Sequence, residues 1–436
     1  MYREILCELD EWKTKSNKKH LILIGQKGVG KSYILNDFGT GFFNNTVIFD
    51  FKTQDYIRYL FEKDIDASKI ETMLSITCGQ ELVPGETFVV FENIDLLEKY
   101  DEIMYFLKEN LGEYHMAFTF YYSEELAFNK IGKKKIQDDF YVLSLHSMNF
   151  YEFLIACREN KLSNSIKDVD KKSLSEEEIK KIHNLLKVYL LIGGLPNVVQ
   201  VYVDTKNINE ALSEKNRVLF EYKTKMDKIE NKTLKNKVIS IWESIPKQLL
   251  KDNKKFQYRI VKESARAREY EEGLKWLADN KFVNLLYRMN AKKKDEQGKY
   301  KFTDKDEKSY EVYFNDIGIL CSYLNLEYDD IDIDNLHKLK NGALLLEYVF
   351  HELKADKNIN NLYYWISEST AKIEFLFGEP GEAIPVCIDI GNNTKAQSLK
   401  VYREIYKPQM AIKITKDDFY MKNRIYGVPL YAIWNL

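Results

Sequence analysis

The segment HLILIGQKGVGKSYILNDFG, His20 to Gly39, decides the fold. Its short apolar run ends at Gly25 and reads as a buried strand, and KSYILNDFG continues as a helix that stops near Gly39. Between the two lies GQKGVGKS, which fits G-x-x-x-x-G-K-[ST] in the strand–turn–helix setting that this pattern needs. Glycines let the main chain turn its N–H groups inward around phosphates, and the helix that follows adds the positive end of its dipole. Gly25, Gly28, Val29, Gly30, Lys31 and Ser32 are therefore the expected cofactor-binding residues. Gly28 and Val29 supply loop amides, Lys31 reaches the β- and γ-phosphates, and Ser32 ligates magnesium. The expected cofactors are ATP and Mg²⁺.

A nucleotide site of this kind needs a second half, an apolar strand that ends in acid. TFVVFENIDLLEKY, Thr87 to Tyr100, supplies it. Glu92 stands where an acid holds the magnesium water shell, so the expected metal residues are Ser32 and Glu92. The next position ordinarily carries the carboxylate that orients the attacking water, and here it is Asn93. An amide can hydrogen-bond a water but cannot take its proton. Glu92 and Asn93 are the expected catalytic pair, with Asn93 limiting turnover. Asp95, two residues on, is a substitute base if the chain turns it inward; Asn93 read otherwise is a helix-cap residue. Ser123, or Tyr122 beside it, stands where a side chain could sense the γ-phosphate, and reads equally well as the N-cap of SEELAF.

Strands and helices alternate around these motifs. NNTVIFDFK (Asn44–Lys52), TFVVFE, MAFTFYYS (Met116–Ser123) and DFYVLSLHSM (Asp139–Met148) read as further strands, which implies a mostly parallel sheet covered on both faces. The chain has 436 residues, 45% hydrophobic and 30% charged, with a formal net charge of -2; these values fit two or three globular domains and no overall nucleic-acid coat. Cys7, Cys78, Cys157, Cys321 and Cys387 form no C-x-x-C pair, which argues against a disulfide framework or a zinc site. No apolar run approaches a membrane span. MYREILCELDEWKTK reads as a charged amphipathic helix and not as a signal peptide, and the expected location is the cytoplasm.

From Asn149 onward the pattern becomes helical, through NFYEFLIACREN and SEEEIKKIHNLLKVYLLIGGLP. Gly193, Gly194 and Pro196 permit a tight bend, read either as a hinge that closes over nucleotide or as a plain helix–helix turn. RIVKESARAREYEEGLKWLADNKFVNLLYRMN has the outline of a winged helix: helix, turn, helix, strand. Between Lys262 and Trp276 four cations (Lys262, Arg266, Arg268, Lys275) meet four glutamates, so the helix is no basic stripe, although Arg266 and Arg268 could contact DNA.

The segments ILIGQKGVGKS, LSLHSMNFYEFL, VYLLIGGLPNVVQ, VYFNDIGIL, GALLLEYVFHEL and IPVCIDIGNNTKAQSLKVY together resemble the prokaryotic AAA-type ATPases that carry a C-terminal domain related to the PD-(D/E)XK nucleases. The resemblance implies an α/β fold with an AAA-like P-loop NTPase core over 1–150, a helical lid over 151–215, a winged helix over 216–325 and a small α/β restriction-nuclease-like domain over 340–436. It departs from the family where Asp-Glu is common and this chain has Glu92-Asn93. In the end domain Glu374 and Glu347 fit the first and accessory acids of a nuclease, but Cys387 stands where the second acid belongs and Asp389 where the lysine belongs. Thiolate is a poor magnesium ligand and Asp brings no positive charge. Lys395 could have migrated into that role. The reading is an ATP-binding AAA-type NTPase with slow Mg²⁺-dependent hydrolysis that serves as a nucleotide-controlled switch. The alternative is a DNA-binding regulatory or defence protein with nucleotide as effector, and an active nuclease is the third reading. Expected partners are ATP, DNA through the winged helix, and a protein partner or a second copy of the chain, without a membrane.

Overall fold

Strand β1 (Leu21–Ile24) sends alternate side chains into two separate cores. Leu21 and Leu23 pack on one face with Ile5, Leu9 and Trp12 of the N-terminal helix Ile5–Lys15 and with Phe38 of the helix Lys31–Phe42. Ile22 joins the opposite face, where Met104 and Leu107 of the helix Tyr100–Asn110 lie. Strand β3 (Thr87–Glu92) divides likewise, Phe88 and Val90 to the first core, Val89 and Phe91 to the second. Burial on both faces is why these strands read as continuous apolar runs instead of alternating ones. With β2 (Asn45–Asp50), β4 (His115–Phe118) and β5 (Tyr141–Ser144) they form a five-stranded, wholly parallel sheet in the order β2-β3-β4-β1-β5. This is an α/β fold with the glycine-rich loop at the carboxyl end of β1.

The computed structural model describes residues 1–15, 19–62, 67–121, 131–167, 174–294, 300–359, 361–368, 370–378, 383–391 and 394–436. It separates into two compact units, Met1–His146 with Asp279–Lys281, and the remainder from Ser147 to Leu436. Two expectations for the first unit need correction. The helix after the glycine-rich loop does not stop at Gly39 but runs to Phe42. Gly39 is an internal residue whose absent Cβ matters: one placed there would meet Thr46 Oγ1 at 2.4 Å, so the glycine lets the helix lie close against β2. The fourth strand ends at Phe118, short of the expected Ser123.

In the second unit the helix Glu176–Ile192 opens with a capping box, in which Ser175 Oγ accepts from Glu178 N–H and the Glu178 carboxylate accepts from Ser175 N–H. It ends at the glycine pair. Gly193 takes φ 85°, and a Cβ there would meet Asp316 Oδ1 at 2.0 Å. Gly194 donates its N–H to Asp316 Oδ2 at 2.8 Å and accepts from Met148 N–H at 2.8 Å. Asp316 is fully buried and also accepts from Gly318 N–H at 2.9 Å. Burial pushes its carboxyl up to about 6, against the pull of these amides and of Lys215. The bend is thus fastened to a buried carboxylate and to main chain on either side.

The helix Ala267–Asp279 is followed by a hairpin of β6 (Val283–Lys294) and β7 (Tyr300–Phe314). The sequence reading separates this hairpin, in 216–325, from the end domain at 340–436. The structure instead runs them into one sheet, because β6 pairs in parallel with β8 (Leu362–Ile366) through Tyr287↔Tyr363 and Arg288↔Tyr364. The sheet continues through β9 (Lys372–Phe377), β10 (Ile384–Ile388), β11 (Ala411–Thr415), β12 (Tyr420–Lys422) and β13 (Ile425–Pro429) in the order β12-β13-β11-β10-β9-β8-β6-β7. Strand β10 runs antiparallel to β9 and parallel to β11, with the helix Thr394–Tyr406 as the crossover. Among the described residues no helix is long and apolar enough to cross a membrane.

The fastening of the glycine bend gives a stability prediction. Gly194→Ala drives a Cβ to within 2.1 Å of Met148 O, which is main chain and cannot rotate away. We expect a loss of more than about 2 kcal/mol and a clear fall in melting temperature of the full chain. An unchanged melting curve contradicts this packing.

Candidate nucleotide-binding site

The loop between β1 and the helix Lys31–Phe42 turns on main-chain angles that side chains resist. Gly28 has φ 85° and Gly30 φ 94°, both in the left-handed region that glycine occupies without steric cost. Gly25 is needed for a different reason, since a Cβ on it would lie 2.4 Å from Leu145 O. That carbonyl belongs to the chain leaving β5, whose Leu145 N–H donates to Ile24 O at 2.8 Å. Val29 is fully buried in the core beneath the sheet and anchors the loop. The Lys31 ammonium reaches back across the loop to Gly25 O, and lies 3.5 Å from Gln26 O.

The two halves of the site meet at Ser32 and Glu92. Ser32 Oγ donates to Glu92 Oε2 at 2.8 Å, joining the first turn of the helix to the end of β3 although β4 lies between β1 and β3. Glu92 is buried, and its other oxygen, Oε1, has no hydrogen-bond partner among the described residues. Burial raises its carboxyl above the usual range; the Ser32 hydrogen bond opposes this, Asp50 reinforces it and Lys31 opposes it. A hydroxyl and a carboxylate oxygen without a donor beside each other suit a hard divalent cation. Magnesium characteristically takes one or two carboxylates and completes its shell with phosphate and water. Ser32 and Glu92 therefore fit Mg²⁺ brought in with a nucleotide. Among the described residues no group of three His, Cys, Asp or Glu could hold a metal without such help.

Asn93 sits in the left-handed region, φ 59° and ψ 39°, which asparagine tolerates better than most residues. Its N–H donates to Thr119 Oγ1 at 3.2 Å, and its side-chain amide donates to Asp50 Oδ1 at 2.6 Å. Asp50 ends β2 in register with Glu92, and also accepts from Lys52 N–H at 2.9 Å and Thr53 Oγ1 at 2.6 Å. Asp95 accepts from Tyr121 N–H and so ties its turn to the chain beyond β4. Ser123 and Tyr122 lie outside the described residues.

Three residues here escaped the sequence reading. Asp50 had a signal, a lone acid at the end of an apolar strand, but its neighbour could be known only from strand order. Thr119 lies one residue past β4 and fixes the Asn93 turn through its hydroxyl. Arg3 had no signal. It is buried in the N-terminal segment and donates to Val29 O at 3.0 Å and to His146 O at 2.6 Å, bracing the loop from behind.

The acids of the end domain are arranged differently. Glu347 is fully buried 3.5 Å from His351 Nε2. Burial pushes the carboxyl up and the imidazole down to about 3, so it disfavours the charged form of both. Cys387 is buried in an apolar cluster, and Asp389 is paired with Lys413. Glu374 and Lys372 line a pocket of about 400 Å³, with Lys372 bound to Glu311 Oε1 at 2.5 Å. The side chain of Lys395 lies outside the described residues.

A family model described as a domain of unknown function, DUF8612, matches residues 183–330, less than half of the chain. No curated protein matches. Solved structures of similar shape include a Walker-type ATPase of Pyrococcus abyssi (12% identity, TM-score 0.45, 74% of this chain and 96% of that one) and the ORC2 protein of Aeropyrum pernix (10%, 0.40, 78% and 92%). Another is the RuvB Holliday junction branch migration motor of Thermotoga maritima (12%, 0.30, 75% and 96%). The fold assignment rests on this chain's own strand order and loop.

Glu92 gives the site a pH signature. Its carboxyl is raised from 4.5 in the folded chain, so folding is favoured below that value and stability is lost as pH rises through the folded pKa. Glu92→Gln removes the charged form. Melting temperatures measured from about pH 4.5 upward are expected to diverge, the variant becoming the more stable at the alkaline end. Parallel profiles contradict the assignment.

Proposed function

We propose that this chain is an ATP-binding NTPase of the AAA type with slow Mg²⁺-dependent hydrolysis, acting as a nucleotide-controlled switch. The observation that carries this reading is the convergence of Lys31, Ser32 and the buried carboxylate of Glu92 at the mouth of a glycine-built loop. Loop amides and the Lys31 ammonium hold the β- and γ-phosphates, and Ser32 and Glu92 hold the magnesium. When bound, the ion neutralises charge that develops on the phosphate oxygens. Arg3 keeps Val29, and with it the loop tip, in place.

Slow turnover follows from the neighbours of Glu92. Asn93 cannot accept a proton, and its NH₂ group is engaged by Asp50. Asp50 accepts three hydrogen bonds, from Asn93, Lys52 N–H and Thr53, so its carboxylate is already engaged. Neither residue offers a free base to an attacking water, and we expect turnover at least about 100-fold below an ordinary enzyme's ~10 s⁻¹. The DNA-binding alternative gains nothing from the expected recognition helix, where Lys262, Arg266, Arg268 and Lys275 are exposed but interleaved with exposed glutamates.

Steady-state turnover of Asn93→Asp tests the chemistry. Aspartate also tolerates the left-handed backbone, and beside Asp50 it forms a like-charged pair in which one carboxyl is raised toward neutrality. Turnover should rise at least about tenfold; no gain contradicts the missing base as the limit. Hydrogen exchange with and without MgATP tests the switch. Altered protection beyond residue 146 supports it, and change confined to residues 25–32 and 92 removes it.

A further inference from the structure

A second charged site lies in the second unit, far along the chain from the glycine-rich loop. A cleft of about 500 Å³ is lined by Lys400 and Arg403 of the helix Thr394–Tyr406, by Lys407 just beyond it, by Lys413 of β11 and by Arg424. Among the described residues Glu404 is the one acid in its lining, and Asp389 pairs with Lys413. The cleft therefore keeps a clear positive surplus in a chain whose formal net charge is -2. Pro408 and Ile425 add apolar surface to the lining, with Leu399 buried beneath.

Two of the cations occupy positions where the main chain favours a different residue. Asn423 and Arg424 form the two-residue loop of the β12–β13 hairpin, with φ 52° and 60°. Such a turn needs positive φ at both positions and favours Asn-Gly, so Arg424 stands in glycine's place. Lys407 follows the end of its helix with φ 49°, at the left-handed cap where glycine is again preferred. Both residues line the cleft. A left-handed backbone disfavours a residue with a Cβ, and two cations in that conformation stand at this one cleft. Arg403 is held in the same feature, donating to Asn423 O at 2.7 Å.

We propose that this cleft binds a single strand of nucleic acid through its phosphate backbone. The several cations of one cleft suit the phosphates of a strand, and the apolar residues that share its lining suit sugar edges and base faces. An inorganic polyphosphate or a poly-glutamate has little use for that surface. The proposal goes beyond the nucleotide site and does not depend on it.

Fluorescence anisotropy of the full chain with a labelled oligothymidine of about 20 nucleotides tests it. The informative variants are Arg424→Gly and Lys407→Gly, which relieve the main chain while removing the cation. Each should weaken binding several-fold, lower the slope of log affinity against log salt by about 1, and leave the melting temperature equal or higher. Lys31→Ala should bind the strand as wild type does, so failure at either site shows independently of the other. The proposal is overturned if wild type binds no strand, if both glycine variants bind undiminished, or if polyphosphate or poly-glutamate competes as well as unlabelled oligonucleotide does. Loss of strand binding in Lys31→Ala would also overturn it.

Discussion

The site depends on one geometric demand: the chain must pass from the end of β1 into a helix within a few residues while keeping its N–H groups turned inward. Only glycine meets it at Gly25, where Leu145 O stands 2.4 Å from the place of a Cβ, and glycine suits the left-handed angles of Gly28 and Gly30. The turn does not stand alone. Val29 plugs it into the core and Arg3 clasps it from the N-terminal segment. Once the turn is fixed, Ser32 falls at the head of the helix within 2.8 Å of Glu92, and that helix is joined to the end of β3 through side chains.

The price of that junction is a buried carboxylate. Glu92 carries a raised pKa because burial disfavours its charge, and Ser32 and Lys31 only partly offset this. A divalent cation bound there would favour the ionised form, so metal and proton would compete for the same group. Asp50 enlarges the effect from the neighbouring strand, and Asn93 binds Asp50 where a second acid would repel it. The Glu92-Asn93 pair is thus consistent with its surroundings: asparagine suits both the left-handed turn and the carboxylate beside it.

How much of this could be read from residues alone follows from the range of each interaction. The glycine-rich loop, Lys31, Ser32 and Glu92 were legible because the chemistry fixes residue types at short spacing beside an apolar strand. Asp50 and Thr119 were not, because their relation to Asn93 depends on which strands lie side by side. Gly39 was read as a helix stop, yet it is there for a close approach to Thr46, a contact with no local signature. The hairpin of β6 and β7 was legible as an element, but its pairing with β8 was not, since the partner strand is about seventy residues away and only two residue pairs define the join. Gly193 and Gly194 were read as hinge or turn, and Asp316, more than a hundred residues on, supplies the fastening that sequence spacing could not show.

The most direct test of the account is titration calorimetry of the full chain with ATP and magnesium, for wild type and for Lys31→Ala. Saturable binding by wild type, strengthened by magnesium and lost in the variant, is the predicted result. Equal affinity in both chains, or heat from neither, would contradict the phosphate site on which the account rests.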